Sequence, residues 1–389
     1  MEGDFIKINK GLLPFSWIYG LGVKFRNTMF DIGVLKSRSF KVPVISVGNI
    51  TVGGTGKTPH VEYLVSVLKD QFRVAVLSRG YKRKSKGFII ADSQMSETEI
   101  GDEPFQMKQK FPNVTVAVDR KRCHGIDQLT EQDEKLDVIL LDDAFQHRYV
   151  KPGINILLVD YHRLVIYDRL LPAGRLREPL SGKNRADIVI VTKCPSDLKP
   201  MEFRVITKAM NLYPYQQLYF TTLNYGRLKP VFPHAQASKD IEELKGTHTL
   251  LLTGIASPEQ MIHDLSPLTD HLTPLSFSDH HRFTKKDIRL INDTFAGLPS
   301  PKCIVTTEKD ATRLLHVEGL SDEVRGNLYS LPVRISFMLE QQEIFNNHII
   351  GYVHKNSRNS ILAKGKDDHK PNNSNHSGDR PRTISFRNN

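Results

Sequence analysis

Three features of this sequence predict an α/β fold with a mostly parallel, doubly wound sheet, followed by a second, smaller α/β unit. Short β-branched runs alternate with amphipathic segments from residue 42 to about residue 225, the mark of repeated strand–helix units. The first run, Val42 to Val47, leads into a glycine-rich turn and a Lys-Thr pair that opens a helix. A later apolar run, Leu136 to Leu141, ends in two adjacent carboxylates, Asp142 and Asp143.

The chain has 389 residues, room for more than one domain. Its hydrophobic content of 39% and charged content of 25% suit a protein with a packed core. The net charge of +11 implies attraction to nucleic acid, an anionic membrane or a polyanionic substrate, without choosing among them. Cys123, Cys194 and Cys303 lie far apart with no metal-ligand spacing, so they read as reduced thiols.

In chain order, the uncharged stretch from Gly11 to Val23 is shorter than the roughly 20 residues a spanning helix needs. From Pro14 onward, Trp17, Ile18, Leu21, Phe25 and Met29 recur at helical spacing, with Lys24 and Arg26 elsewhere on the wheel. Two readings stand: a helix lying in a membrane interface with Trp17 and Tyr19 at headgroup level, or a helix packed on the chain's own core. No small-residue cleavage site follows, so a signal peptide is not expected.

Next comes Thr51-Val52-Gly53-Gly54-Thr55-Gly56-Lys57-Thr58, with a strand before it and a helix after it. This is the Walker A arrangement, except that Thr51 stands where the pattern has its first glycine. Gly53 and Gly54 supply the flexibility. Loop N–H groups and the helix N-terminus would cradle phosphates. Lys57 would reach the β- and γ-phosphates, and the Thr58 hydroxyl would hold Mg²⁺. Asp142 and Asp143 then have the Walker B form, binding Mg²⁺ from the opposite side. The expected ligand is a nucleoside triphosphate.

Other loops should share this rim. In an open parallel sheet the ligand crevice lies beyond the strand C-termini. The strand after Arg73 ends in Arg79-Gly80-Tyr81 and a basic run to Lys86; Val114–Val118 leads into Asp119-Arg120-Lys121-Arg122. Between the strand-like runs at 155–159 and 186–191, Arg175 and Arg177 offer guanidinium forks suited to phosphate. Gly101-Asp102-Glu103-Pro104 places two acids at a helix start, where capping alone accounts for them.

The pattern weakens from Leu212 to Leu228 and restarts at Thr247–Thr253 with a strand and a glycine turn. The expected organisation is an interfacial helix in residues 1–30 and a nucleotide-binding core in 31–225. A smaller α/β unit should occupy 226–352. Residues 353–389 are expected to form a basic, disordered tail, too poor in large apolar side chains to offset its ordering entropy.

Several segments together resemble one family, the tetraacyldisaccharide 4′-kinases of lipid A biosynthesis. They are Gly53–Pro59, Ser78–Tyr81, Gly101–Pro104, Asp142–Arg148, Arg175–Pro179, Asp279-His280 and Thr307–Ala311. The likeness covers nearly the whole chain up to the tail, and the segments Gly101–Pro104 and Asp142–Arg148, in that order, carry its specificity. It implies a peripheral kinase at the cytoplasmic face of a bacterial inner membrane. Such an enzyme moves the γ-phosphoryl of ATP, with Mg²⁺, to the 4′-hydroxyl of a tetraacyldisaccharide 1-phosphate. It implies Asp102 as the catalytic carboxylate, paired with His280; His281 stands beside it. The first helix becomes a membrane-docking element and the basic charge an attraction to anionic lipid. Arg79, Tyr81, Arg120, Arg122, Gln146, Arg175, Arg177 and Glu178 are expected on the substrate side.

Two other classes share part of this pattern. A P-loop nucleotide switch or metallochaperone-type GTPase should carry an Asn-Lys-x-Asp motif, of which Val191-Thr192-Lys193-Cys194 is a faint echo. A nucleic-acid-binding ATPase would explain the charge but neither Gly101–Pro104 nor the first helix, so nucleic acid is not an expected partner.

Overall fold

The computed structural model describes residues 8–92, 94–233, 237–256, 258–279 and 281–367. In chain order its strands are β1 (Val44–Gly48), β2 (Val74–Ser78), β3 (Ile89–Ile90), β4 (Thr115–Val118), β5 (Val138–Asp142), β6 (Ile154–Asp160) and β7 (Ile188–Thr192). There follow β8 (Gln217–Tyr225), β9 (Lys229–Pro230), β10 (His248–Thr253), β11 (His271–Ser276), β12 (Lys302–Thr307), β13 (Leu328–Leu331) and β14 (Val333–Phe337). Among the described residues they form a nine-stranded sheet, β14-β8-β7-β6-β1-β5-β2-β4-β3, and a five-stranded sheet, β11-β10-β12-β13-β9.

The large sheet is parallel except at its edges, where β3 and β14 run antiparallel to their neighbours. Strands β1, β2, β5 and β7 are buried at every position. Cover on both faces is why they read as unbroken β-branched runs and not as alternation. The register sets Val47 of β1 beside Asp142 of β5 and Ile156 of β6, so the strand C-termini share one rim. The helix Lys57–Leu68 lies under that rim and buries Val61, Leu64, Val65 and Leu68 against Ile45, Val47 and Ile156. Each such aliphatic side chain contributes about 1.5–3 kcal/mol.

Strand β8 outgrows its parallel neighbour, and its outer residues Thr222–Tyr225 pair with Val333–Ser336 of β14. This two-stranded ribbon joins the sheets: β13 belongs to the small sheet, and β14 returns to the large one. Residues 333–352 therefore do not stay with the smaller unit, as the sequence suggested. Ile335 and Phe337 bury in the large core, and the final helix, Gln342–Asp367, adds Phe345, Ile349 and Val353 to it. The same helix replaces the expected disorder just after residue 352. One large apolar side chain per turn is enough when the large sheet supplies the opposing surface. Residues 368–389 of the expected tail lie outside the described residues.

The N-terminal helix, Leu13–Asp31, buries only Ser16 and Phe30. Ser16 Oγ donates to the Leu170 carbonyl (2.9 Å) and accepts from the Ala173 N–H (3.0 Å). Gly20 sits so close that a Cβ there would stand 2.7 Å from Leu170 Cδ1. The opposite side leaves Trp17, Ile18, Leu21 and Phe25 between 64% and 76% exposed. The helix thus touches the body through Ser16, Gly20 and Phe30 and turns Trp17, Ile18, Leu21 and Phe25 outward. Among the described residues no helix is long and apolar enough to cross a membrane.

Candidate active site

The glycine loop is shaped by local chemistry. Gly53 (φ +121°) and Gly56 (φ +77°) hold backbone conformations that side chains disfavour. Thr51 does not: it forms an antiparallel bridge with Leu176, an extended conformation that suits a β-branched residue, so no glycine is required there. Asn49 Nδ2 donates to the hydroxyls of Thr51 (3.3 Å) and Thr55 (2.9 Å), closing the loop from inside. The Val52 N–H donates to Arg175 O and the Arg177 N–H to Ile50 O, both at 2.8 Å. These bonds hold the Arg175–Arg177 loop against the phosphate loop.

Below the loop, His60 is buried. Its Nδ1 lies 2.7 Å from the Gly56 carbonyl and its Nε2 3.1 Å from Thr221 Oγ1. A carbonyl only accepts, so Nδ1 carries the proton and Nε2 accepts from Thr221. Burial pushes this imidazole down to about 4, which keeps it neutral. Thr192 Oγ1 donates to Thr55 O at 3.1 Å, a second support from β7.

Lys57 leads the helix, and its ammonium stands 3.6 Å from Asp143 Oδ1. Arg177 reaches the other oxygen of Asp143 at 3.8 Å. Asp142 is buried; Ser78 Oγ donates to its Oδ2 at 3.4 Å, and its Oδ1 has no hydrogen-bond partner among the described residues. Burial raises the Asp142 carboxyl to about 7, with Glu103 and Asp143 adding to the effect. An orphaned buried carboxylate oxygen on Asp142, with the Asp143 carboxylate adjacent in the chain, offers the oxygen donors that fit a hard cation such as Mg²⁺.

Across the crevice, Gly80 (φ +64°) and Gly101 (φ +97°) cross backbone to backbone. A Cβ on Gly101 would stand 3.1 Å from Tyr81 O, and one on Gly80 2.9 Å from Ile100 O. This close approach sets Asp102, the first residue of the helix Asp102–Lys110, beside the Arg79–Tyr81 loop. Asp102 accepts from Arg313 Nη2 on the helix Glu308–Leu314, a partner 211 positions away. His280 lies outside the described residues. His281 faces Asp287, with Nε2 2.9 Å from Oδ2, and stacks on Phe277.

The expected substrate-side residues divide. Arg79, Tyr81, Arg120 and Arg175 are exposed at the rim, and Arg177 is half-buried there. Gln146 is half-buried with its Nε2 unpaired among the described residues. Its neighbour His147 is pushed down to about 4 by burial and then by Arg122, Arg26 and Arg79. Arg122 and Glu178 differ from expectation. Arg122 is buried, donating to Asp119 O (2.8 Å) and Asp142 O (3.1 Å), so it braces two loops beneath the rim. Glu178 is buried and paired with Arg185 Nη2 at 2.6 Å. Both side chains turn to internal partners, while Arg122 Nε and Glu178 Oε1 have none among the described residues.

Sequence reasoning missed Asn49, His60 and Arg313. A lone polar residue between an apolar strand and a glycine loop could have marked Asn49. Nothing local marked Arg313.

A parallel sheet bearing a Walker A loop at β1 and a carboxylate pair at the adjacent β5 defines a P-loop nucleoside triphosphate-binding protein. A family model described as tetraacyldisaccharide-1-P 4′-kinase matches residues 8–353. The chain is 60% identical over 368 residues to the tetraacyldisaccharide 4′-kinase of Phocaeicola vulgatus, covering 93% of this chain and 100% of that protein. The corresponding kinase of Bacteroides thetaiotaomicron is 56% identical over 378 residues, covering 95% and 100%. The crystal structure of LpxK from Aquifex aeolicus in complex with ATP aligns with a TM-score of 0.66 at 32% identity, covering 88% of this chain and 98% of that one. The chain belongs to the tetraacyldisaccharide-1-P 4′-kinase family. It is a kinase of lipid A biosynthesis, with an alcohol group as acceptor.

Proposed function

We propose that this kinase transfers the γ-phosphoryl group of ATP to the 4′-hydroxyl of a tetraacyldisaccharide 1-phosphate, with Mg²⁺, while docked on the cytoplasmic face of the inner membrane. The observation that carries the reading is the Lys57–Asp143 approach of 3.6 Å at the end of two adjacent strands. In this reading it brings a lysine for the phosphates and a carboxylate for the metal to one point of the crevice. The ATP held by the Aquifex aeolicus relative supports the choice of nucleotide.

In this reading residues Thr51 to Thr58 wrap the phosphates with N–H groups, and Lys57 neutralises charge on the β- and γ-oxygens. Thr58, Asp142 and Asp143 would hold Mg²⁺, whose chemistry there is charge neutralisation on the phosphates. Asp102 accepts the proton of the sugar hydroxyl, and His280 orients it. Arg79, Arg120, Arg175 and Arg177, with Tyr81 and Gln146, face the anionic substrate. The outward apolar side of Leu13–Asp31 enters the interface, which brings a lipid substrate to the rim. Tyr19 OH donates to Arg177 O at 2.9 Å, so that helix is tied directly to the arginine loop.

The test is transfer of label from γ-labelled ATP to a tetraacyldisaccharide 1-phosphate in mixed micelles, with and without Mg²⁺. A labelled lipid that requires Mg²⁺ is the expected product. Nucleotide binding with no labelled lipid would overturn the substrate assignment.

A further inference from the structure

We propose that Arg313 is a positioning residue for phosphoryl transfer, holding Asp102 in place from the small-sheet side of the crevice. The proposal rests on the reading of Asp102 as the base.

Arg313 is 7% exposed and uses both ends of its guanidinium fork. Nη2 donates to Asp102, and Nη1 donates to Asp310 Oδ1 at 2.8 Å. Asp310 is fully buried and itself fixed: its Oδ2 accepts from the Gly254 N–H (2.8 Å) and from Thr307 Oγ1 (2.7 Å). The fork is therefore aimed before it meets Asp102. A planar guanidinium can span two carboxylates in this way, whereas an ammonium is a point charge.

Helix docking alone does not call for this pair. Lys309 Nζ reaches Glu103 at 3.1 Å, and Lys110 Nζ reaches Glu308 at 3.4 Å; both join the same two helices. Arg313 adds a buried contact on the one carboxylate assigned to proton transfer. The Gly254 turn also continues to Ala256, whose Cβ would lie 3.5 Å from a Cβ on Gly54 of the phosphate loop. Contacts thus run from the Gly254 turn through Asp310 and Arg313 to Asp102, and the same turn lies near Gly54 of the phosphate loop. A base must stand within hydrogen-bond reach of its proton, so an error in this chain falls on turnover.

The charged groups around Asp102 come from several elements. The helix Glu308–Leu314 brings Arg313 and Asp310, with Lys309 paired to Glu103 and to Asp279. The preceding short helix brings Glu97, whose carboxyl is raised by burial and then by Asp102, against His316, Arg313 and Arg282. A guanidinium in contact favours the ionised form of a carboxyl group, the form that accepts a proton.

The experiment compares full-length wild type, R313Q, R313K and D102A in the micelle assay across pH, with the KM for ATP measured alongside. For R313Q, kcat should fall about tenfold or more while the KM for ATP stays within about threefold, and the acid limb should move to higher pH. R313K keeps the charge without the fork, so its acid limb should stay near wild type while kcat recovers only in part. Wild-type kcat and an unmoved acid limb in R313Q, with D102A inactive, would overturn the role of Arg313 alone. Near-normal turnover in D102A would overturn the base assignment and this proposal with it. Should R313Q fail to fold, R313K decides: wild-type kcat refutes the positioning role, and a reduced kcat with an unmoved limb supports it.

Discussion

Lys57, the first residue of the helix after β1, and Asp143, just beyond β5, face each other at 3.6 Å, with Arg177 approaching the same carboxylate at 3.8 Å. Asp143 holds a positive φ of +47°, which turns its side chain out of the strand direction at the rim. Its carboxylate is thereby held between two cations that the phosphate of a nucleotide also attracts.

Replacing Lys57 with alanine should therefore act on transfer and not on folding. Its side chain lies at the rim, outside the apolar core. The rate of label transfer is expected to fall by about 100-fold or more, with the unfolding midpoint near that of wild type. A rate close to wild type would contradict the assigned role.

The two acids of β5 should separate in a Mg²⁺ titration. Asp143→Ala is expected to lower activity and raise the Mg²⁺ concentration for half-maximal rate together. A titration unchanged in that variant would assign the metal to Asp142, whose buried Oδ1 is without a hydrogen-bond partner among the described residues.

Membrane docking can be tested without disturbing the fold. Trp17 and Leu21 are 76% and 71% exposed, so the double change W17S/L21S removes apolar surface from the outward side only. Recovery on anionic vesicles in flotation should drop, because each fully buried side chain of this kind adds about 1.5–3 kcal/mol. Unchanged partitioning would leave the helix with a packing role alone.

Acidification should expose the two depressed histidines. His147 is held down to about 4 by burial and by Arg122, Arg26 and Arg79, and His60 to about 4 by burial. The unfolded chain binds these protons near 6.5, before the folded protein does. Stability contributed by the neutral rings is thus fully present above about 6.5 and is lost as pH falls through about 4. H147Q is expected to lose less stability than wild type over that interval in denaturant titrations. Parallel curves would show that the imidazole is solvated.

Much of the large sheet was legible because local pattern and tertiary role agree. Runs such as Val44–Gly48 and Val138–Asp142 are buried on both faces, and the glycines of the phosphate loop take conformations that their type favours. The ribbon of β8 and β14 was not legible. Its residues mix buried Ile335 and Phe337 with half-exposed neighbours and pair across more than a hundred positions, so no short window carries its pairing. Arg122 and Arg120 look alike in sequence, yet one is a buried brace and the other an exposed rim cation.

The sequence by itself determined the chemistry on offer: a phosphate loop, a lysine, a carboxylate pair and an aspartate at a helix start. It did so because such local geometry depends on residues a few positions apart. Only the tertiary structure decided which of those groups meet. Arg313 finds Asp102 from 211 positions away, Ser16 anchors a helix that turns its large apolar side outward, and Glu178 is closed off by Arg185. Contacts of that kind follow from how sheets and helices dock, and docking depends on surfaces assembled from the whole chain.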